Sequence, residues 1–130
     1  MIIFGHRFIE SPSFYHIFDL DAIRCTPPSS IIYVDFDADD LDIITHARLN
    51  NVAMAITVSN ILELIYASSL GAKYIVVSKK DAELAQSIAE NYLFDAKILV
   101  FITQEKEIEE LAILGIDGVL FADAIVRINA

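Results

Sequence analysis

Ile31-Ile-Tyr-Val-Asp-Phe-Asp-Ala-Asp-Asp-Leu-Asp42 joins an apolar, β-branched run to five carboxylates, Asp35, Asp37, Asp39, Asp40 and Asp42. The apolar half reads as a strand and the acidic half as the start of a helix, with Asp37 or Asp39 placed to cap it. Four similar runs follow: Ala53–Val58, Tyr74–Val77, Ile98–Ile102 and Gly118–Phe121. None alternates between apolar and polar residues, which suits strands covered on both faces, as in a parallel sheet. Helical stretches separate them. The first runs to about Leu49. The second starts at Ser59 or Asn60 and stops at Gly71, the third starts at Lys80 or Asp81, and the fourth runs from Thr103 or Gln104 to Gly115. Gly71 and Gly115 suit the left-handed residue that ends a helix.

The spacing therefore predicts a (βα)4β unit over residues 31–130, with right-handed crossovers. The expected fold is a single three-layer α/β domain with a mainly parallel, five-stranded, flavodoxin-like sheet of order 2-1-3-4-5. A half TIM barrel is the alternative. Residues 1–30 are broken by Gly5, Pro12, Pro27 and Pro28 and read as an N-terminal arm packed on that domain. Within the arm, Ile2–Phe4 and Phe14–Phe18 are extended segments, and Asp19 caps one helical turn. In the flavodoxin-like order the crevice lies between the first and third strands of the unit, lined by Asp35–Asp40 and Ser78–Asp81.

The chain has 130 residues, 55% of them apolar, enough for one well-filled core. Nineteen acidic residues against nine basic ones give a net charge of −10, which opposes binding to nucleic acid or to anionic membranes. Cys25 is alone, so neither an internal disulfide nor a cysteine metal cluster is expected. Met1-Ile-Ile-Phe-Gly-His-Arg7 lacks the layout of a signal peptide, and a cytoplasmic location is the expectation. His6, His16 and His46 are too scattered for a zinc motif and read as structural or solvated.

In a parallel α/β sheet the ligand-binding positions are the carboxyl ends of the strands. Here these are Asp35 and Asp37, Ser59 and Asn60, Ser78 and Lys79, Thr103, and Asp123. Asp35 and Asp37 are the candidate catalytic pair and the candidate metal ligands. No cofactor motif is present, and magnesium is the ion such a pair would hold. Ser59, Asn60, Ser78, Lys79, Thr103 and Asp123 are candidate ligand-binding residues. Each also has an ordinary helix-capping explanation. A calcium loop starting at Asp35 fails, because Asp40 stands where glycine is needed and His46 where the bidentate glutamate belongs.

Ser59 to Val77 repeats as Thr103 to Phe121 at an offset of 44, with Glu63 over Glu107 and Leu64 over Ile108. The segment Leu114-Gly-Ile-Asp-Gly-Val-Leu-Phe-Ala-Asp-Ala-Ile-Val-Arg127 resembles the last phosphate-binding unit of TIM barrels such as indole-glycerol-phosphate synthase. Ile61–Val77 resembles an earlier unit of the same barrels. The resemblance spans Ala53–Arg127 diffusely and implies a half-barrel that binds a phosphorylated small molecule. Ile31-Ile-Tyr-Val-Asp-Phe-Asp37 is similar to the first motif of haloacid-dehalogenase-type phosphatases. That likeness implies Asp35 as nucleophile and Asp37 as acid/base, with Ser59 or Thr103 and Lys79 or Lys80 assisting. Ile98–Leu120 looks like the end of a receiver-like signalling domain, with Thr103 as its switch hydroxyl and Ser78 where the phosphoacceptor would stand.

The expected function is a non-catalytic binding or interaction module of the α/β class. The alternative is a metal-assisted enzyme or binder acting on a small phosphorylated metabolite at the strand ends. The helix around Ile61–Leu70 is apolar around most of its circumference, and a homodimer through it is expected.

Overall fold

A computed structural model describes residues 1–128; the last two residues of the expected 31–130 unit lie outside the described residues. Eight strands form one sheet: β1 (Ile2–Phe4), β2 (Phe14–Ile17), β3 (Ile31–Asp35), β4 (Met54–Thr57), β5 (Tyr74–Val77), β6 (Lys97–Ile102), β7 (Gly118–Phe121) and β8 (Ile125–Ile128). Four helices follow β3 to β6 in turn: α1 (Leu41–Leu49), α2 (Ile61–Ser69), α3 (Ala82–Asn91) and α4 (Lys106–Ile113). The spatial order is β1-β7-β6-β5-β4-β3-β2-β8, and every pairing is parallel.

This order corrects the flavodoxin-like expectation. A doubly wound sheet reverses direction at one point and carries helices on both faces. Here β3 to β7 lie side by side in chain order with no reversal. All four helices then fall on one face, where Ile43, Ile44, Leu64, Ala67, Ala85, Ala89 and Leu111 pack against Ile32, Val34, Ile56, Ile75, Val77, Ile98 and Val100. The other face is covered by the sheet itself. Its core is Phe4, Phe14, Ile31, Tyr33, Ala55, Tyr74, Val76, Leu99, Leu120 and Ala124, with no residue from any of the four helices.

The sheet is strongly curled into a half-barrel. In a flat sheet, six ladder steps of ~4.8 Å would set the first and seventh strands roughly 29 Å apart. Instead the rings of Phe4 in β1 and Phe14 in β2, the first and seventh strands of the order, have centroids 4.8 Å apart. Tyr74 joins them, its ring 5.3 Å from Phe4 and 5.6 Å from Phe14. The chain also links the ends: β7 is second and β8 last, yet only the 3-10 turn Ala122–Ala124 separates them in sequence. At Gly5, with φ +87°, a Cβ would lie 2.8 Å from the Ala124 backbone nitrogen, so β1 and this turn meet backbone to backbone.

Residues 1–30 are consequently not an arm. They supply β1 and β2, and Phe14 is fully buried. The expected helical turn is present as Leu20–Cys25, with the Asp19 carboxylate accepting the Ala22 N–H at 2.8 Å. With the strand order, the flat-sheet resemblances to haloacid-dehalogenase-type and receiver-like domains fall away. The likeness to TIM-barrel units stands at the level of a half-barrel.

Two helix details depart from simple patterning. Gln86 of α3, a polar residue, is buried, and its Oε1 accepts the Asp117 N–H at 3.0 Å. The Asp117 carboxylate in turn accepts the Ile98 N–H at 2.9 Å, so a polar junction pins α3 to β6 and the start of β7. The α3 end is the second. Gly71 and Gly115 take the left-handed position after α2 and α4, but Leu93 takes it after α3 with φ 54°. Phe94 N–H bonds the Ala89 carbonyl at 2.9 Å around it. A left-handed L-residue costs about 1–2 kcal/mol, partly offset by glycine's greater unfolded-state entropy. Leu93 is 85% exposed, so it loses little burial when removed. Leu93→Gly is expected to raise the urea-unfolding free energy by about 0.5–1 kcal/mol; an unchanged or lower midpoint would count against this account.

Candidate functional site

The carboxyl ends of the strands form the mouth of the half-barrel. One cross-section of the ladder runs Ile2, Gly118, Leu99, Val76, Thr57, Asp35, so Thr57 and Asp35 stand level with the buried interior of β5 and β6. Across β2 the pairing sets His16 beside Tyr33 on one side and Arg127 on the other. The His16 and Tyr33 rings meet edge to face at 4.8 Å, and His16 lies 4.4 Å from the Phe18 ring. The Arg127 guanidinium sits over Phe18 at 5.8 Å. Beside this group is an open depression of about 460 Å³ lined by Tyr33, Thr57, Val58, Val76, Val77, Ser78, Lys79 and Phe101. Its volume falls within the range of small-molecule sites.

His16 is the unusual member. Its side chain is 13% exposed, and its Nε2 is buried without a hydrogen-bond partner among the described residues. The nearest charge is the Asp35 carboxylate, 3.7 Å from Nε2, beyond hydrogen-bonding reach. Burial lowers the His16 pKa from 6.5, Asp35 raises it and Arg127 lowers it, with the downward effects prevailing. Burial likewise raises the Tyr33 hydroxyl, the Thr57 hydroxyl acts the other way, and Asp35 adds to the rise. Folding therefore favours neutral His16. That contribution is complete above the unfolded value of ~6.5 and is lost as pH falls through the lower folded value. Between about pH 7 and pH 5, Tm is expected to fall more steeply in the wild type than in His16→Gln. Equal slopes would show that His16 does not carry the effect.

The sequence singled out Asp35 but missed His16 and Arg127. Phe14, His16 and Phe18 occur at alternate positions, and this period-2 pattern was the available signal that the three share one face. The crevice expected between Asp35–Asp40 and Ser78–Asp81 does not form as such, because β4 lies between β3 and β5. Asp35 faces His16, and Asp37 turns to the backbone that follows it. The Asp37 carboxylate accepts the Asp39 N–H at 3.0 Å and caps the 3-10 turn Ala38–Asp40. Among the described residues, no three His, Cys, Asp or Glu side chains are grouped to hold a metal ion. Burial and the charges of Asp37, Asp35, Asp39 and Asp42 together raise the Asp40 pKa.

Most other strand-end candidates do structural work. The Glu63 carboxylate accepts the Ser59 N–H at 2.9 Å, and the Asn60 side chain accepts the Glu63 N–H at 2.9 Å, a reciprocal cap on α2. At the matching position of the repeat, Glu107 accepts the Thr103 and Gln104 N–H groups, each at 3.1 Å. These two bonds are the main cause of its lowered pKa. Glu63 and Glu107 thus occupy the seats where a phosphate would meet the amino ends of α2 and α4. Lys79 is held by Glu110 and lies 3.7 Å from Glu107; the Glu110 bond is the first cause of its raised pKa. The Ser78 hydroxyl donates to Asp81 at 3.3 Å. Asp123 lies in the 3-10 turn after β7, beside a hollow of about 200 Å³ shared with Ile102, Thr103, Phe121 and Ala122.

A larger hollow, about 640 Å³, lies at the opposite end, where Ser29, Ser30, Asn51 and Ala53 border the amino ends of β3 and β4. Among the described residues, Arg24 is the one ionisable side chain on its wall. In barrels of parallel strands this end serves stability and the carboxyl end carries chemistry, so the smaller depression is the candidate site. The α2 face expected to join two copies carries exposed Leu62, Ile65 and Tyr66, with Tyr66 stacked on Phe36 at 6.1 Å. None of the described helices is long and apolar enough to cross a membrane.

The curl, the single helical face and the polar mouth define an α/β half-barrel whose polar groups converge at the carboxyl ends of its strands. No protein-family model and no curated protein matches the chain.

Proposed function

We propose that this chain is a binding module that takes a small organic molecule in the mouth of the half-barrel. The observation that carries this reading is the grouping of His16, Tyr33, Asp35 and Arg127 at the mouth, next to a depression of about 460 Å³ whose wall includes Tyr33 and Thr57. Few polar groups set in a largely apolar and aromatic wall are the usual make-up of a small-molecule site. Binding without phosphotransfer is favoured because Asp37 is spent on a cap and Glu63 and Glu107 fill the helix ends that would attract a phosphate.

The reading is tested on the full chain by NMR and thermal shift. The probes are magnesium, calcium, sugar phosphates, neutral sugars, nucleosides and amino acids. Ligands that move the amide signals of His16, Tyr33, Asp35 and Thr57 together, and raise Tm, are the expected result. A mouth unmoved by every probe would overturn it. Stabilisation by magnesium with a sugar phosphate, lost in both Asp35→Asn and Asp37→Asn, would replace it with the enzyme reading.

A further inference from the structure

Among the described residues, two opposite charges at the mouth lack a full partner, and both act on one imidazole. Among the described residues, His16 is the one basic group within 4 Å of the Asp35 carboxylate, at 3.7 Å, and burial favours that ring in its neutral form. Arg127 has no carboxylate within 4 Å among the described residues and rests over the Phe18 ring. The ladder sets their separation. Arg127 pairs with His16 and His16 with Tyr33, two steps that span ~10 Å, and Asp35 lies two residues beyond Tyr33 on the same face. Both residues are exposed, and the charges of both reach His16, in opposite senses.

A simple anion is poorly served here. Lys79 is held by Glu107 and Glu110, the ends of α2 and α4 hold Glu63 and Glu107, and Asp37, Asp39, Asp40 and Asp42 lie beyond Asp35. A simple cation would meet Asp35 but would also be repelled by Arg127. A molecule carrying both charges a few ångströms apart satisfies the two at once. Its remaining bulk would lie against the Tyr33 and Phe101 rings, which line the depression.

Building on the mouth as the ligand site, we propose that the ligand is a small amino-carboxylate zwitterion, its ammonium on Asp35 and its carboxylate on Arg127. Asp35 and Arg127 are recognition residues, and no bond of the ligand is broken.

The full chain is titrated with the common amino acids singly, followed by NMR and calorimetry. Every amino acid that binds is compared with its decarboxylated amine and its deaminated acid; for phenylalanine these are phenethylamine and 3-phenylpropionate. At least one amino acid is expected to move the signals of His16, Tyr33, Asp35 and Arg127. Both single-charge analogues are expected to bind about tenfold or more weakly than their parent. Asp35→Asn and Arg127→Gln should each weaken the amino acid by about tenfold or more while leaving Tm nearly unchanged, because both side chains are exposed. Asp35→Asn should leave the affinity for the deaminated acid unchanged. An analogue that binds as tightly as its parent overturns the zwitterion, as does a mouth that responds to neutral sugars or nucleosides but to no amino acid. A mouth silent to every probe overturns the binding reading as well.

Discussion

Phe14→Ala is expected to destabilise the protein by about 3–5 kcal/mol, the cost of emptying a large, fully buried aromatic site. Phe14 is fully buried in β2, between the rings of Phe4, Tyr33 and Tyr74. Those neighbours belong to β1, β3 and β5, so they close around the ring from across the curl and cannot collapse into the space without moving the sheet. Urea unfolding of the wild type and variant measures the difference. A loss below about 1 kcal/mol would mean that residues 1–30 merely rest on a domain complete without them. A large loss in a single cooperative transition is the result expected of a strand that fills the inner core.

Gly118→Ala is expected to cost about 2–3 kcal/mol, although it adds only one methyl group. A Cβ there would stand 2.7 Å from the Ile2 carbonyl oxygen and 2.7 Å from a Leu99 methyl. The leucine can rotate, but the carbonyl belongs to the β1 backbone, which pairs with β7 at this residue. Relief therefore requires β1 to move away, and β1 carries Phe4 into the inner core. Thermal unfolding gives the loss. Backbone NMR should place the largest shifts in Ile2–Phe4, and shifts confined to Leu99 would show that the side chain alone absorbs the methyl.

These two positions mark what sequence patterning could and could not reveal. Tyr74–Val77 and Gly118–Phe121 form strands over the ranges expected, β6 starts one residue earlier than expected, and β4 is one residue shorter at each end. Local rules govern there: β-branched runs, cap residues and the glycines after α2 and α4. The repeat of Glu63 and Glu107 was visible too, and both residues turn out to close the amino end of a helix. The Asp35–Asp42 stretch was harder to read, because carboxylates at a strand end serve equally as caps or as a site. Asp37 caps a turn, while Asp35 faces His16.

Taken alone, the sequence determined the parallel βα units, their phasing and the acidic character of the strand ends. It left open whether the units wind in one direction or two, since a strand buried on both faces looks the same in either arrangement. Only the tertiary structure decided that. Winding in one direction puts every helix outside, leaving an inner face that the sheet must cover by curling on itself. Phe4 and Phe14 fill that interior, which draws β1 and β2 into the sheet and carries β8 to the far side of β2. The mouth follows from the same cause. His16 and Arg127 are 111 positions apart in the sequence and become ladder partners only because the half-barrel brings its ends together.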